Sequence, residues 1–452
     1  RSSLRRIAVD TANLLPKTIR DIVLSEPREF RQYLAVGQAG EGLLFLYLAY
    51  KYVKNGGVIA FVLPRGLLAG ASWFLARALL ASEFHVKYIV VSSDPENGYN
   101  FSEGTSLSET LIVARRVDGH EDGEETVFVN LLRKPSTALE AAMLAEEVRK
   151  AAAPGGHAVV EAGGSRALVY RVGRRELLGN IDNWNRLAFA PDARLLRETL
   201  RFLEDGVLPC AGLRVPLVRL NEIAGRLGVD GHQFHDHFRP AGARTPYPVV
   251  YGGGEEVRRR MLVEPNAFAE PRTGRAGSVF EEYSGRVLLP SRVWLGTARA
   301  LALYSGRPTL SNMFYALRLK PGGDAGEHAE KALVLWLNTT WGLLTVLAGR
   351  EETRGPWIQL KAAHWRLLRV PDVTALDGGR LRRLAEAFDR HAGTPLERIP
   401  RQFNPDSPDP ARLSIDRDFV KALDPTLDDE TVERGLRELY KRVDTALKLW
   451  IG

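Results

Sequence analysis

Cysteine is nearly absent from this chain of 452 residues, which contains Cys210 alone. A single thiol excludes an internal disulfide framework and a zinc site built from four cysteines. Long apolar runs are scarce as well: LLFLYLAY at 43–50 is far shorter than the roughly 20 residues that a membrane-spanning helix needs. The basic N-terminal stretch RSSLRRIAVDTAN lacks the apolar core of a secretory signal. We therefore expect a cytoplasmic protein in a reducing compartment, with no membrane partner.

The composition is that of a globular protein, with 45% hydrophobic and 26% charged residues. The chain is too long for one ordinary core, so two or three domains are expected. Its net charge is +7 and its pI is about 9.4. Such an excess permits a nucleic-acid partner, whose phosphates attract Lys and Arg, but does not require one.

The first part of the chain alternates between helix and strand patterns. Helices are predicted at 40–55 and 67–82, and strands at 58–63, 85–92, 109–116 and 125–132. The continuous apolar run VIAFVL at 58–63 is typical of a strand buried on both faces, as in a parallel sheet. Strand, helix and strand at this spacing predict a βαβ unit in an α/β sheet.

A capped helix follows these strands. Thr137 and Glu140 have the spacing of a capping box, and the segment APGG at 153–156 ends the helix. One apolar stripe of the helix is predicted to consist of Leu139, Met143, Leu144 and Val148.

The composition and the secondary-structure pattern change after this helix. Up to about Asp372 the pattern is one of short strands with many Gly and Pro residues and most of the Trp residues, which predicts an irregular β-rich region. A long helix is predicted at 427–450, with a stripe of Val432, Leu436, Leu439, Val443 and Leu447. The predicted domains are 1–155, 156–372 and 373–452, and the fold class is α/β followed by an α+β region and a helical tail.

Two segments have the composition of ligand sites. In VVYGGGEE (249–256), three glycines follow an apolar run and could let the backbone approach a phosphate or an adenosyl group, although isolated glycine clusters are usually turns. In GHQFHDHF (231–238), the imidazoles of His232, His235 and His237 could share a metal ion, lie in a surface loop, or face phosphates.

Two further segments suggest contact with nucleic acid. LNEIAGRLGVDGHQFHDHF (220–238) has the outline of a helix-turn-helix with a turn at Gly228, but its second half favours a loop over a helix. SSDPENGYNF (92–101) places Tyr99 and Phe101 just beyond a strand. An aromatic ring there could stack on a base removed from its duplex, or simply pack onto the sheet.

Taken in order, these segments resemble adenine-N6 DNA methyltransferases of restriction-modification systems. GLLFLYLAYKYVKNGGVIAFVLPRGLLAGASWFLARALLASEFHVKYIVV looks like the family's helix, Gly-Gly turn, strand ending in Leu-Pro, helix and next strand. NFSEGTSLSETLIVARR (100–116) is similar to the motif that follows, a Phe, a variable loop and an apolar hairpin strand. The fold class thus implied is a partial, doubly wound methyltransferase-like sheet.

The resemblance continues through the rest of the chain. VRLNEIAGRLGVDGHQF (218–234) looks like the start of the family's target-recognition domain, and GRPTLSNMFYALRL (306–319) is similar to a later part of it. The stretch 332–372 matches a helix with Asn and small hydroxyl residues, a loop bounded by glycines, and a closing VPD. ARLSIDRDFVKAL (411–423) and LRELYKRV (436–443) are similar to the C-terminal helices.

This resemblance implies roles and partners. In the family the motif Phe packs against the flipped adenine, which assigns base stacking to Phe101. Double-stranded DNA is the implied partner and S-adenosylmethionine the implied cofactor. The family's glycine-bearing cofactor loop and its Asn-Pro-Pro-Tyr loop both precede the helix that starts near Gly40, and neither is found there. No catalytic or cofactor-binding residue is therefore assigned.

The resemblance thus implies the C-terminal portion of an adenine-specific methyltransferase. A missing N-terminal segment or a separate partner chain would supply the two loops. The chain itself would grip DNA and read its sequence, with basic groups on phosphates and polar groups on base edges. The predicted DNA contacts are Arg350, Arg354, Gln359, Lys361, His232 and His235.

Two alternatives stay open from the sequence. One is a stand-alone DNA-binding specificity protein that has no catalytic motifs. The other is a metal-dependent enzyme that uses the histidine cluster.

Mixing the chain with S-adenosylmethionine separates these hypotheses. Because both family loops are missing, we expect no measurable cofactor binding by calorimetry but salt-sensitive binding of duplex DNA. Cofactor binding by this chain alone would contradict the assignment. Metal that survives dialysis and is lost on changing His235 and His237 would favour the metal-dependent enzyme.

Overall fold

The computed structural model describes residues 39–151, 157–228, 231–320 and 324–451. The chain forms two compact units. The first contains residues up to Leu196 together with Ala348–Ile358 and the C-terminal residues from Lys448 onward. The second contains Arg197–Leu347 and Gln359–Leu447. The chain thus leaves the first unit and re-enters it twice.

The described helices are α1 Glu41–Tyr52, α2 Gly66–Ala69, α3 Phe74–Glu83, α4 Ala138–Ala151, α5 Arg174–Gly179, α6 Ala193–Asp205, α7 Leu220–Ile223, α8 Gly231–His237, α9 Ala276–Tyr283, α10 Asp324–Leu337, α11 Thr340–Gly349, α12 Ala362–Leu367, α13 Gly378–His391, α14 Ile399–Gln402, α15 Pro410–Leu423 and α16 Asp429–Ile451. Short 3₁₀ helices span Ala71–Trp73 and Trp184–Leu187.

The described strands are β1 Val58–Pro64, β2 Phe84–Ser92, β3 Glu109–Arg116, β4 Glu125–Arg133, β5 His157–Ala162, β6 Ser165–Gly173, β7 Leu217–Arg219, β8 Ala224–Leu227, β9 Phe238–Pro240, β10 Tyr247–Val250, β11 Ala267–Pro271, β12 Gly285–Pro290, β13 Arg292–Trp294, β14 Leu303–Ser311, β15 Phe314–Leu319, β16 Glu351–Arg354, β17 Trp357–Gln359 and β18 Arg369–Pro371.

The first unit is built on a mixed six-stranded sheet in the order β1-β3-β2-β4-β6-β5. Strand β3 lies between β1 and β2 and is antiparallel to both, with Leu63 and Val91 each opposite Thr110. Only the β2–β4 pairing in this sheet is parallel. The predicted α/β class is confirmed: β1 and β2 run parallel to each other, with the hairpin strand β3 inserted between them.

Strand β1 is at an edge of the described sheet and alternates between buried and exposed residues. Ile59 and Leu63 are buried, whereas Val58 and Val62 are exposed by 57% and 41%. The expectation that this apolar run is buried on both faces is therefore wrong. A strand at a sheet edge that is covered on one face alternates in this way even when every residue is apolar.

The predicted helix at 67–82 is broken at Gly70, whose extended ψ of 135° ends α2. The guanidinium of Arg77, on α3, fills the break. It donates to the carbonyl oxygens of Leu67 and Gly70 at 2.7 and 3.0 Å, and to those of Ile181 and Asp182. A buried arginine thus satisfies carbonyl groups that a continuous helix would have paired internally.

Helix α4 begins with half of the predicted capping box. The Thr137 hydroxyl accepts from the backbone N–H of Glu140, but the Glu140 carboxylate reaches the backbone N–H of Ser136. Leu144 and Val148 are buried as predicted. The assignment of Leu139 and Met143 to the same buried stripe is wrong: they are 71% and 45% exposed, because the sheet covers only a narrow face of this helix.

The second unit contains a seven-stranded sheet in the order β8-β15-β12-β14-β10-β11-β9, in which β10 and β14 pair in parallel. The helix-turn-helix outline at 220–238 is wrong, because residues 224–227 form strand β8, which pairs with β15. Conversely, 231–237 is a helix although its composition favoured a loop. The irregular β-rich region predicted here is confirmed.

The C-terminal region is helical as predicted. All five stripe residues of α16 are buried, from Val432 through Leu447. In the described part of the chain no single helix is long and apolar enough to cross a membrane. A pair of segments bent by 76°, Gly326–Leu337 and Thr340–Gly349, has the length and composition only when taken together. The division at residues 155 and 372 stays a prediction.

Burial raises the pKa of the Glu330 carboxyl on α10 to about 7, and Glu327 contributes in the same direction. The ordinary value is 4.5. Between pH 4.5 and 7 the carboxyl is ionised in the unfolded state but stays protonated in the folded state. The free energy of unfolding therefore falls as the pH rises through this range. We expect Glu330→Gln to raise the free energy of unfolding at pH 8 by up to about 3 kcal/mol and to change it little at pH 4. Urea unfolding at the two pH values measures the difference.

The matched control is Glu256→Gln, at a carboxylate that is 84% exposed in the same unit. Its effect should be small at both pH values. An equal effect of Glu330→Gln at pH 4 and pH 8 would contradict the assignment.

Candidate nucleic-acid interface

Exposed arginines gather at one edge of the seven-stranded sheet in the second unit. Strand β9 is the edge strand of the described sheet and pairs with β11, so that Arg239 lies opposite Glu270 and Phe238 opposite Pro271. The chain then continues to Arg272, whose backbone N–H donates to the carbonyl of His237 and whose Nε donates to that of Phe238. We call this set of exposed basic residues the basic edge; it comprises His235, Arg239, Arg244, Arg272 and Arg275.

Helix α8 fixes which side chains of this segment face outward. Phe234 and Phe238 are four residues apart and both 1% exposed, with stacked rings 5.9 Å apart. They pack in a cluster with Val249, Ala269 and Leu310. Because residues four apart lie on the same face, Phe234 and Phe238 both face the core, and the neighbouring His235 is exposed, edge-on to the Phe234 ring.

The basic edge has an excess of positive charge. Its segments, 235–245 and 270–275, contain four arginines and two carboxylates, Asp236 and Glu270, which gives +2 with neutral histidines. Arg239 and Glu270 form an ion pair with an N–O distance of 3.2 Å. The Arg239 side chain is 59% exposed and the Glu270 side chain is 41% exposed. Exposed pairs of this kind contribute little stability, so the pair can open for a phosphate at small cost.

The histidines of the predicted cluster differ in their exposure to solvent. His235 is exposed and His237 is half-buried, whereas the side chain of His232 lies outside the described residues. Among the described residues, no group of three or more His, Cys, Asp or Glu side chains is placed to hold a metal ion.

Arg350 is buried in the first unit, 1% exposed, and not presented to solvent. Its Nη2 contacts Glu352 Oε2 at 3.0 Å, and its guanidinium lies 5.0 Å from the centre of the Trp450 ring. Burial lowers the pKa of this guanidinium to about 10, while the Glu352 carboxylate opposes that shift. In this structure Arg350 therefore belongs to an internal network, a position that its sequence context, a polar loop, did not reveal.

The centre of that network is Glu352, which sequence reasoning missed. Its Oε1 accepts from Arg65 Nη1 at 2.8 Å and from Ser108 Oγ at 3.2 Å. Arg65 follows the Leu-Pro end of β1 and also donates to the carbonyl of Ser92, at the end of β2. Burial lowers the pKa of Arg65, and Glu352 counteracts the shift. The sequence signal was the arginine after Leu-Pro, but its partner lies 287 residues away.

The other predicted DNA contacts lie closer to the surface. Arg354 is exposed at the turn between β16 and β17, in the first unit. Gln359 is half-buried and Lys361 is exposed, and both belong to the second unit. The backbone N–H of Lys361 donates to His364 Nδ1 at 3.2 Å, at the start of α12.

Within the first unit, the loop that contains Phe101 meets the turn that contains Arg354. The Ser108 hydroxyl accepts from the backbone N–H of Gly355 at 2.9 Å. Gly355 has a φ of +52° and lies against the Tyr99 ring, with no space for a Cβ atom. The structure therefore places Arg354 and the Phe101 loop in one region of this unit, and their DNA contacts stay predictions.

Asp94 anchors the same loop. Its carboxylate accepts from the backbone N–H groups of Glu96, Asn97 and Lys134 at 2.8 to 3.0 Å. Burial raises the pKa of this carboxyl, but the hydrogen bonds outweigh it and hold the pKa below its ordinary value. Lys134 closes the loop by donating from Nζ to the carbonyl of Asn100 at 2.6 Å.

Phe101 itself is half-buried. Its ring packs against the apolar cluster between the sheet and α4, which includes Val129, Leu144 and Val169. Its backbone N–H donates to Glu109 Oε2 at 2.7 Å. One side of the ring is therefore supported by the core, and base stacking on the ring stays a prediction.

The chain is similar to the crystal structure of the type IIG restriction endonuclease BpuSI, with 14% identity and a TM-score of 0.36. The alignment covers 90% of this chain and 49% of that one, so the chain spans about half the length of that protein. No family model and no curated protein matches the chain.

Replacing Gly355 by Ala tests the contact between the loop and the turn. The added methyl group would overlap the Tyr99 ring in a left-handed backbone conformation, so we expect a loss of roughly 2–4 kcal/mol in the free energy of unfolding. Gly104→Ala is the matched control, with a φ of +74° and open space around the new atom. It should cost only about 1–2 kcal/mol. Equal losses in urea unfolding would show that the contact adds nothing.

Proposed function

We propose that this chain is the C-terminal portion of an adenine-N6-specific DNA methyltransferase of a restriction-modification system. In this proposal the chain binds duplex DNA and recognises the target sequence. The cofactor and catalytic loops come from a preceding segment or from a separate chain. The observation that carries the proposal is the basic edge of the second unit.

The basic edge suits a phosphate backbone in chemistry and in shape. Arg272 and Arg275 are exposed in the loop that follows β11, and Arg239 and Arg244 are exposed in the segment that precedes β10. Guanidinium groups bind phosphate oxygens in bidentate fashion and release condensed counterions when they do so. Because a packed sheet holds these segments, the arginines approach DNA from fixed backbone positions, which reduces the entropy lost on binding.

The arrangement of the first unit also supports the proposal. The segments that carry the family resemblance, from α1 through β3, follow one another in the expected order and lie in one sheet or pack onto it. The Phe101 loop extends from the end of β2 and is fixed by Asp94 and Glu109. A fixed loop with a supported ring is the geometry that stacking on an extruded base needs.

The described residues do not fit S-adenosylmethionine. Gly252–Gly254 follow β10 of the seven-stranded sheet, whereas the family's cofactor loop follows the first strand of the methyltransferase sheet. The sequence contains no Asn-Pro-Pro-aromatic segment. The adenine amine has its lone pair delocalised into the ring, so methyl transfer needs positioned acceptors, which the family takes from its Asn-Pro-Pro-Tyr loop. We therefore derive no methyl-transfer step from these residues.

Duplex binding at graded salt concentrations tests the proposal. Each lost phosphate contact reduces the slope of log K against log salt by about 0.9, so Arg272→Gln with Arg275→Gln should reduce it by nearly 2. Arg201→Gln is the control, at an arginine of the same unit that is 80% exposed on α6 and paired with Asp205. Fluorescence anisotropy with a labelled duplex gives the slopes.

The outcomes separate the candidates. A slope that is equal in the double variant and the wild type would remove the basic edge from DNA binding. Binding that stays sequence-specific without any methylation after the catalytic loops are supplied would favour the stand-alone specificity protein, which uses the same edge.

A further inference from the structure

Arg258, in the second unit, is buried, and no carboxylate among the described residues pairs with it. It is 7% exposed, its Nη2 donates to the carbonyl of Arg292 at 2.9 Å, and its guanidinium lies 5.2 Å from the centre of the Phe314 ring. Its Nε is enclosed and has no hydrogen-bond partner. Burial alone lowers its pKa to about 10, and no neighbouring carboxylate opposes that shift.

The acidic residues next to Arg258 in the sequence form ion pairs with other arginines. Glu255 pairs with Arg398 at 2.9 Å and with Arg299 at 3.7 Å. Glu256 pairs with Arg259 at 3.6 Å. The segment therefore carries two carboxylates within three residues of Arg258 and uses neither of them to neutralise it.

The other buried arginines among the described residues are compensated. Arg65 and Arg350 share Glu352, and Arg412 has the side chains of Gln402 and Asp416. Arg77 donates to four carbonyl oxygens. An enclosed cation with a free donor is costly, and an anion bound beside it would offset that cost.

A glycine loop lies directly over this guanidinium. Gly252 has a φ of +83°, and its N–H donates to Asn312 Oδ1 at 2.8 Å, which fixes the loop at the end of β10. A Cβ atom on Gly253 would lie 3.8 Å from Arg258 Nη2 and 3.5 Å from Met313 Cβ. The three residues carry no side chains, and a Cβ atom on Gly252 or Gly254 would meet open space, so an anion can reach the backbone of the loop beside Arg258.

We propose that Arg258 and the Gly252–Gly254 loop form a seat for one phosphate group. The guanidinium supplies the charge, and the glycine loop supplies backbone that an anion can approach closely. The phosphate can belong to a DNA backbone or to a small phosphorylated ligand. This seat is distinct from the basic edge, because the loop follows β10 where Val249 pairs with Ala267, whereas Arg272 follows the opposite end of β11.

Binding of inorganic phosphate to the whole chain tests the seat without DNA. Titration calorimetry should show saturable binding to the wild type, and Arg258→Met should weaken it at least tenfold. Gly253→Val should weaken it comparably, because its side chain fills the approach while Arg258 stays in place. Arg260→Met is the control, since Arg260 is exposed in the same segment and should bind phosphate as the wild type does.

A second measurement distinguishes a ligand seat from a structural role. Without phosphate, Arg258→Met should unfold at a urea concentration no lower than the wild type, because it removes an uncompensated buried charge. A phosphate affinity that is equal in the wild type, Arg258→Met and Gly253→Val overturns the proposal, as does absence of phosphate binding to the wild type together with unchanged duplex binding in both variants.

Duplex binding then identifies the source of the phosphate. If the group belongs to DNA, Gly253→Val and Arg258→Met reduce the salt slope by about 0.9, in addition to the effect of the basic edge. If it belongs to a free phosphorylated ligand, phosphate binding is lost and the slope stays unchanged. Failure of the basic edge to bind DNA leaves the calorimetric result intact, so the two proposals fail separately.

Discussion

The carboxylate of Glu352 is the interaction on which the first unit depends most. It lies between two buried guanidinium groups, those of Arg65 and Arg350, and also accepts the Ser108 hydroxyl. These partners join the end of β1, the start of β3 and the β16 hairpin. Removing one member of such a group leaves an uncompensated charge in the interior, which typically costs 3–5 kcal/mol. The network therefore fixes the position of the hairpin relative to the sheet.

Contacts of Tyr99 and Gly355 connect the Glu352 network to residues at the surface. Burial raises the pKa of Tyr99 to about 12, with Glu352 adding to the shift, so the phenol stays protonated and donates to the carbonyl of Trp450 at 2.7 Å. Gly355 lies against the same ring. The exposed Arg354 and the half-buried Phe101 are each within two residues of these contacts. The interior thus determines where the candidate contact residues emerge.

The sequence predicted the elements better than their partners. Patterns within one segment located α1, strands β1 to β4 of the first sheet and the stripe of α16, because these patterns depend only on local periodicity. Strands β5 and β6 of that sheet were not predicted. The insertion of β3 between β1 and β2 depends on pairings between distant segments, which periodicity does not contain. The break at Gly70 likewise depends on Arg77 reaching the carbonyls of Ile181 and Asp182, more than 100 residues away.

For the candidate sites as well, local patterns were visible in the sequence and contacts between distant segments were not. Composition drew attention to 231–238 and to Gly252–Gly254, but not to Arg239, Arg244, Arg272 and Arg275, which become neighbours only through the pairing of β9 with β11. Arg350 and Arg354 looked equivalent in a polar loop. They differ because one faces Glu352 inside the unit and the other lies at an exposed turn.

The double return of the chain to the first unit affects how this protein is made. Trp450 lies near Arg350 and Phe189, and its carbonyl accepts from Tyr99, so a segment synthesised after the second unit completes a unit whose sheet was synthesised before it. During translation this surface of the first unit stays uncovered until the segment that contains Trp450 has been made. A shuffling event that exchanged the second unit between relatives would need to preserve both return segments, so recombination at a single crossover point would leave an unfinished core.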